Sequence, residues 1–492
     1  MEKPTEIHAL RCADCARSDS AATDLRPTGT LPITAEALAG FPDGVSHERR
    51  YSRRRLLQSG LLGVASVYAA SRLDLGTMLE AAAAEAAEPM QRSLVCIYLN
   101  GGNDGLNTVL PVTGADYAAY QAARGAIARG LGPSTGGQVG TTVLPGTGGT
   151  LGWANVGVAG AGNNGAAAGF DTLFGDGTGG PGSDLAVFPA ADYSPANRSH
   201  FESRDYWFAG ALSKLQTGWL GRWLDLYGSK ANPLQAISLD SSLSKQIRAS
   251  RAPVAALESL SGARFQVPGV TKSDPNAEFG RLAAVGSARS EGLSRSRSIY
   301  GLTVDVSARV GALRAPPAGP AYPPNSDLSR KLSLAATLLS AGLGTRVITI
   351  DWGSFDTHGD QLGSQDPQLA TLSRALAAFK ADLAARGIEQ NVATMVFSEF
   401  GRRIQANDSL GTDHGAGGLM MVSGSSIRGG LAGEFPGLSR TDDNGDLIVK
   451  TDFRSVYQAL IAEWLGGDPS AVLPGGPFPG IDRYDGQHRL TK

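Results

Sequence analysis

The apolar positions of this chain fall into short unbroken runs that stop at polar loops, alternating with longer stretches in which leucine and alanine recur every three or four residues. Apolar runs of four to eight residues bounded by turn residues predict strands buried on both faces, and the three-to-four spacing predicts helices. The strand pattern occurs at 92–100, 184–189, 345–351 and 391–398. The helical pattern occurs at 216–227, 328–339, 366–386 and 452–465. Alternating strands and helices predict an α/β fold, an open and mostly parallel sheet with helices on both faces.

Two stretches interrupt the pattern. Glycine and threonine dominate residues 130–183, which read as a surface insertion within a domain spanning 90–492. Prolines 316–317 and 323–324 read as a linker ahead of a helix. The beginning of the chain has its own logic. Residues 1–51 are polar and aperiodic, as in a disordered extension. Ser52-Arg53-Arg54-Arg55-Leu56-Leu57 matches a twin-arginine signal, followed by a diluted apolar run to Ala70 and a small-residue cleavage site at Ala84-x-Ala86. A run of about fifteen residues falls short of the ~20 that span a bilayer. Residues 52–87 therefore predict a signal peptide read by the twin-arginine export machinery, export in folded form to the periplasm or outside the cell, and no stable transmembrane helix in the mature chain.

Charge narrows the partners. With 44 basic and 46 acidic residues the formal charge is −2, so no global field draws the chain to nucleic acid. Cysteine is scarce: Cys12, Cys15 and Cys96 cannot build a disulfide framework, and Cys96 sits in the first apolar run as a small buried hydrophobe.

Chemistry concentrates at the predicted strand ends. Of six histidines, His200, His358, His414 and His488 follow the signal, and the first three lie beside carboxylates. They occur as Ser199-His200-Phe201-Glu202, as Asp356-Thr357-His358-Gly359-Asp360 and as Asp413-His414-Gly415, while Glu399 closes another strand. In a parallel sheet the loops after the strands converge on one crevice. Imidazoles and carboxylates around an open position are the donors that zinc and manganese prefer. Ser199 has two readings, helix N-cap and metal-activated nucleophile.

Five ordered motifs carry a resemblance: Leu99-Asn100-Gly101-Gly102-Asn103-Asp104-Gly105-Leu106-Asn107, Asn197-Arg198-Ser199-His200-Phe201, Phe355-Asp356-Thr357-His358-Gly359, Ser398-Glu399-Phe400-Gly401-Arg402 and Gly411-Thr412-Asp413-His414-Gly415. Over about residues 90–470 the chain resembles the domain of unknown function 1501 family, usually placed in the alkaline phosphatase and sulfatase superfamily. The resemblance implies an alkaline phosphatase-like fold and two divalent ions (zinc, manganese or calcium) around a serine or threonine nucleophile. It implies Ser199 as nucleophile with Thr108 as fallback, and metal ligands among Asp104, Asp356, His358, Glu399, Asp413, His414 and His200. Asn103, Asn107 and Arg402 are the expected contacts to a small anionic ester, the arginine through its bidentate fork. The chain departs from the superfamily pattern in two places. Asp356-x-His358 replaces Asp-x-x-x-His, and Phe400 stands where a ligand histidine is usual, so that Asp413, His200 or Asp360 become substitutes. The resulting expectation is an exported metal-dependent hydrolase of phosphate or sulfate esters. The alternative is an exported binding or surface protein that keeps the fold without the chemistry.

Overall fold

The computed structural model describes residues 66–68, 91–134, 139–159, 168–230, 232–259, 309–310, 313, 322–481 and 488–492. The disordered extension, the twin-arginine motif, the cleavage site, Cys12 and Cys15, and prolines 316–317 lie outside them. All described residues belong to one unit, Gly63–Lys492.

The four predicted strands form as β2 (Ser93–Leu99), β6 (Leu185–Asp192), β9 (Val347–Trp352) and β10 (Val392–Ser398). They join β1 (Ser66–Tyr68), β7 (Ala236–Ser238), β8 (Val254–Ala256), β13 (Gly418–Ser423), β14 (Gly430–Leu431) and β15 (Thr451–Asp452). The sheet order is β1-β8-β7-β9-β2-β10-β13-β6-β14, with β15 also on β6. From β8 to β10 the pairings are parallel. β13 pairs antiparallel with both β10 and β6. Its run Gly418-Leu419-Met420-Met421-Val422-Ser423 resembles the other buried strands, yet it follows a hairpin rather than a crossover helix, so it returns against its neighbours. The edge strand β1 comes from the apolar run read as part of the signal and pairs antiparallel with β8.

Helices cover both faces: α1 (Gly114–Arg124), α2 (Phe170–Phe174), α3 (His200–Ala209), α4 (Trp219–Tyr227), α5 (Asp327–Ser340), α6 (Gln361–Ala385), α7 (Phe453–Ala459, continued by a π-helical turn to Leu465) and α8 (Pro469–Val472). The pleat of β2 divides the core between them. Val95, Ile97 and Leu99 join α5 and α6 in one apolar cluster, while Leu94, Cys96 and Tyr98 join α3, α4 and α7 in the other. Each fully buried aliphatic side chain contributes roughly 1.5–3 kcal/mol.

The described residues of the glycine-rich stretch include elements packed into the core. They carry β4 (Thr141–Val143), β5 (Leu151–Ala154) and α2, and β4 and β5 complete a small antiparallel sheet with β3 (Val109–Pro111). Leu144, Trp153, Phe170 and Phe174 are all nearly or completely buried. Trp153 stacks on Phe170 with ring centroids 5.2 Å apart. Widely spaced aromatic anchors pin this segment to the core, and the glycines between them serve its turns. Among the described residues, no helix is long and apolar enough to cross a membrane.

Candidate metal centre

Three neighbouring parallel strands, β9, β2 and β10, end on adjacent loops, as the crossover topology requires. Gly101 and Gly102 follow β2, Asp356 and His358 follow β9, and Glu399 and Phe400 follow β10. A hairpin of β11 (Arg402–Ala406) and β12 (Thr412–His414) folds His414 back over them, and α3 presents His200 from its first turn. Arg402 staples these loops together. Fully buried, it donates to the carbonyls of Gly101, Gly102, Phe355 and Thr412 and to Asp356 Oδ1 at 2.7 Å. Both glycines are required by the close approach. Gly101 and Gly102 have φ of 110° and 80°, and a Cβ on them would lie 2.4 Å from Asp356 N and 2.3 Å from the Phe400 ring.

Each of the three imidazoles has its Nδ1 on an acceptor. His200 Nδ1 lies 2.8 Å from Glu399 Oε1, His358 Nδ1 2.9 Å from Asp413 Oδ1, and His414 Nδ1 2.9 Å from the Arg198 carbonyl. Because these partners only accept, the tautomer assigned to each ring carries its proton on Nδ1 and turns the Nε2 lone pair inward. The three Nε2 atoms converge on Asp356. Those of His358 and His414 are each 3.0 Å from Oδ1, and that of His200 is 3.4 Å from Oδ2. Phe400 walls the group from behind, with ring centroids 4.5 Å from His414 and 5.0 Å from His200.

This arrangement calls for positive charge at its centre. His358 Nε2 and His414 Nε2 stand 3.0 Å apart, where two facing lone pairs repel, and His200 Nε2 is buried without a hydrogen-bond partner. Protons are one remedy. Burial opposes a charged His200, but Asp356 and Glu399 outweigh it and raise its pKa to about 9. Asp356 likewise raises His358, whereas burial lowers His414. Burial would raise the Asp356 carboxyl, but the three imidazoles and Arg402 hold it well below the usual range. A cation is the other remedy. Ligand atoms of His200, Asp356 and His414 lie within 4.8 Å of one another, and His358 Nε2 adjoins two of them. Four donors around a small tetrahedral ion would be about 3.3 Å apart, so the donors present fit one divalent ion. Asp356, with its side chain 34% exposed, opens the group to solvent.

The remaining expected site residues are committed elsewhere. Asp104 is not available to a metal: its buried carboxylate accepts from Arg124, Gln361 Nε2 and the backbone N–H groups of Leu106 and Asn107. A guanidinium from α1 thus occupies the position expected for an ion. Glu399 is fully buried and accepts from Gly101 N, Gly102 N and Ser398 Oγ as well as His200, so its oxygens are engaged and it orients the His200 ring. Thr108 Oγ1 donates to the Asp104 carbonyl at 2.8 Å. Asn103 accepts from Gln365, and Asn107 bonds Tyr120 and the Ile127 carbonyl. These three, like Arg402, are buried. Ser199 is the N-cap of α3, its Oγ 3.5 Å from Glu202 N. Asp413 supports His358 and is half-exposed. Asp360 is exposed at the start of α6. The supporting role of the Arg198 carbonyl carries no side-chain signal in the sequence.

Residues 192–453 match the family model described as a protein of unknown function (DUF1501). The chain belongs to the DUF1501 family. No curated protein matches it. The DUF1501 segment contains all four converging residues and their three supports, and it excludes β2 and the Asp104–Arg124 pair.

Proposed function

We propose that this DUF1501 protein is a divalent-metal-dependent hydrolase of phosphate or sulfate esters, built on an alkaline phosphatase-like fold and exported in folded form to the periplasm or beyond. The observation that carries the reading is the convergence of three oriented imidazole Nε2 atoms on the Asp356 carboxylate. A set rich in imidazole suits zinc or manganese better than calcium, which prefers six to eight oxygens. When bound, the ion would polarise the ester and offset charge developing on the transferred group. One ion is favoured over two, because Arg124 neutralises Asp104 and Phe400 supplies no donor.

The chain's own residues divide the remaining tasks. His200, Asp356, His358 and His414 hold the ion; Glu399, Asp413 and the Arg198 carbonyl fix the rings. Ser199 is the candidate nucleophile. Among the described residues its only side-chain hydrogen bond is the long one it accepts from Glu202 N, which leaves its own proton uncommitted, and the N-terminus of α3 favours a nearby anion. A non-catalytic binding protein is the second reading, favoured by the burial of Thr108, Asn103, Asn107 and Arg402 in structural hydrogen bonds. Zinc- or manganese-loaded protein assayed on an aryl phosphate and an aryl sulfate, with and without chelator, separates the two. Turnover abolished by chelator, by His414→Ala and by Ser199→Ala supports the hydrolase; an inert loaded protein supports the carrier.

A further inference from the structure

With Arg402 enclosed, the centre needs another cation to recognise an anionic ester. The nearby arginines are mostly spent: Arg124 serves Asp104, and the Arg198 guanidinium pairs with Asp446. Arg204 is different. It lies one helical turn beyond His200 on α3, a spacing that places both side chains on one face of the helix. Among the described residues its guanidinium makes no hydrogen bond or ion pair, and it lies over the Phe201 ring, with the guanidinium carbon 5.8 Å from the centroid. The carboxylates flanking it in sequence have their own partners, Glu202 with Lys214 and Asp205 with Lys245, each at 2.8 Å. Its charge opposes the rise that burial imposes on Tyr98 and Asp351, at the ends of β2 and β9. Phe201, which directly follows His200, is 57% exposed, more than any other phenylalanine, tyrosine or tryptophan among the described residues.

We infer that Arg204 and Phe201 form the specificity-determining pair of this centre, selecting phosphate or sulfate esters whose leaving group is an apolar aromatic ring. The inference rests on the hydrolase reading for its chemistry. The guanidinium donates to the ester's non-bridging oxygens, and the Phe201 face covers the ring. A large exposed aromatic beside a guanidinium that makes no hydrogen bond or ion pair among the described residues offers both recognition elements on one helix. The competing role for Arg204 is counter-ion to Asp351, whose Oδ1 is buried without a partner.

Two non-hydrolysable probes, phenylphosphonate and methylphosphonate, test the pair by calorimetry on the full-length, zinc-loaded protein. Phenylphosphonate is expected to bind about tenfold tighter than methylphosphonate. Arg204→Ala should weaken both by roughly ten- to a hundredfold, with Arg204→Lys intermediate, at unchanged zinc content. Phe201→Ala should leave methylphosphonate alone and erase the preference for the aryl probe. In turnover of 4-nitrophenyl phosphate or sulfate the same variants should raise KM and leave kcat within a few-fold. Unchanged probe binding in both variants, or Arg204→Ala lowering only thermal stability, overturns the pair, as does a loaded wild-type protein that binds neither phosphonate. Absence of ester turnover sinks the hydrolase reading separately, since probe binding lost in Arg204→Ala would still establish the pair.

Discussion

Asp413 shows how a side chain can govern the centre without touching its contents. It is half-exposed, so Asp413→Ala should leave thermal stability nearly unchanged. Because it orients His358, metal affinity should drop by about ten- to a hundredfold in a chelator competition. Loss of a donor itself, in His414→Ala, should be more severe. That acidic and imidazole groups gather here was legible in the sequence, because His200, Asp356, His358, Asp413 and His414 all stand in predicted strand-end or helix-start loops. What sequence does not display is which donors are already taken. Asp104 looks like a ligand until Arg124, twenty residues later on α1, is seen to fill its carboxylate. Glu399 and Arg402 mislead for the same reason: a charged residue named for its chemistry can be consumed by backbone groups that no motif records.

The loops and strands carry the next layer of constraint. Gly102→Ala would force a Cβ into the Phe400 ring at a backbone angle that alanine avoids, and should cost about 2 kcal/mol or more in urea denaturation. Arg402→Met leaves four carbonyls and Asp356 without their donor in a buried site, and a loss of about 3 kcal/mol or more is expected. Trp153→Ala tests the glycine-rich segment. As a surface insertion it would tolerate the change, but as core it should lose roughly 3–5 kcal/mol by thermal or chemical denaturation. Strands with continuous apolar runs were readable because burial on both faces leaves that imprint. This segment was misread because its few anchors are diluted by turn residues, so no period survives.

At the scale of the whole molecule, pH should separate the metal-free from the metal-loaded protein. His200 has a folded pKa of about 9 against an ordinary 6.5, so its stabilising contribution is complete below about 6.5 and fades as pH rises through 9. The buried carboxyls Asp192 and Asp351, pushed by desolvation to about 8 and about 7, erode stability in the same direction, beginning nearer pH 4. They do so with or without metal. A bound ion replaces the protons on the imidazoles, so the rise in Tm on adding zinc should be larger at pH 9 than at pH 6; equal rises at both would argue against the imidazole set as ligands. The parallel sheet that assembles these groups follows from strand–helix alternation, and its antiparallel interruption by β13 depends on a hairpin that apolar runs alone do not announce. The cradle around Asp356 is meanwhile tied together by Arg402 and Glu399, neither of which waits for an ion. Chelating buffers during purification would therefore leave the cradle folded and empty, and a screen begun on such a sample would not test the proposed hydrolase.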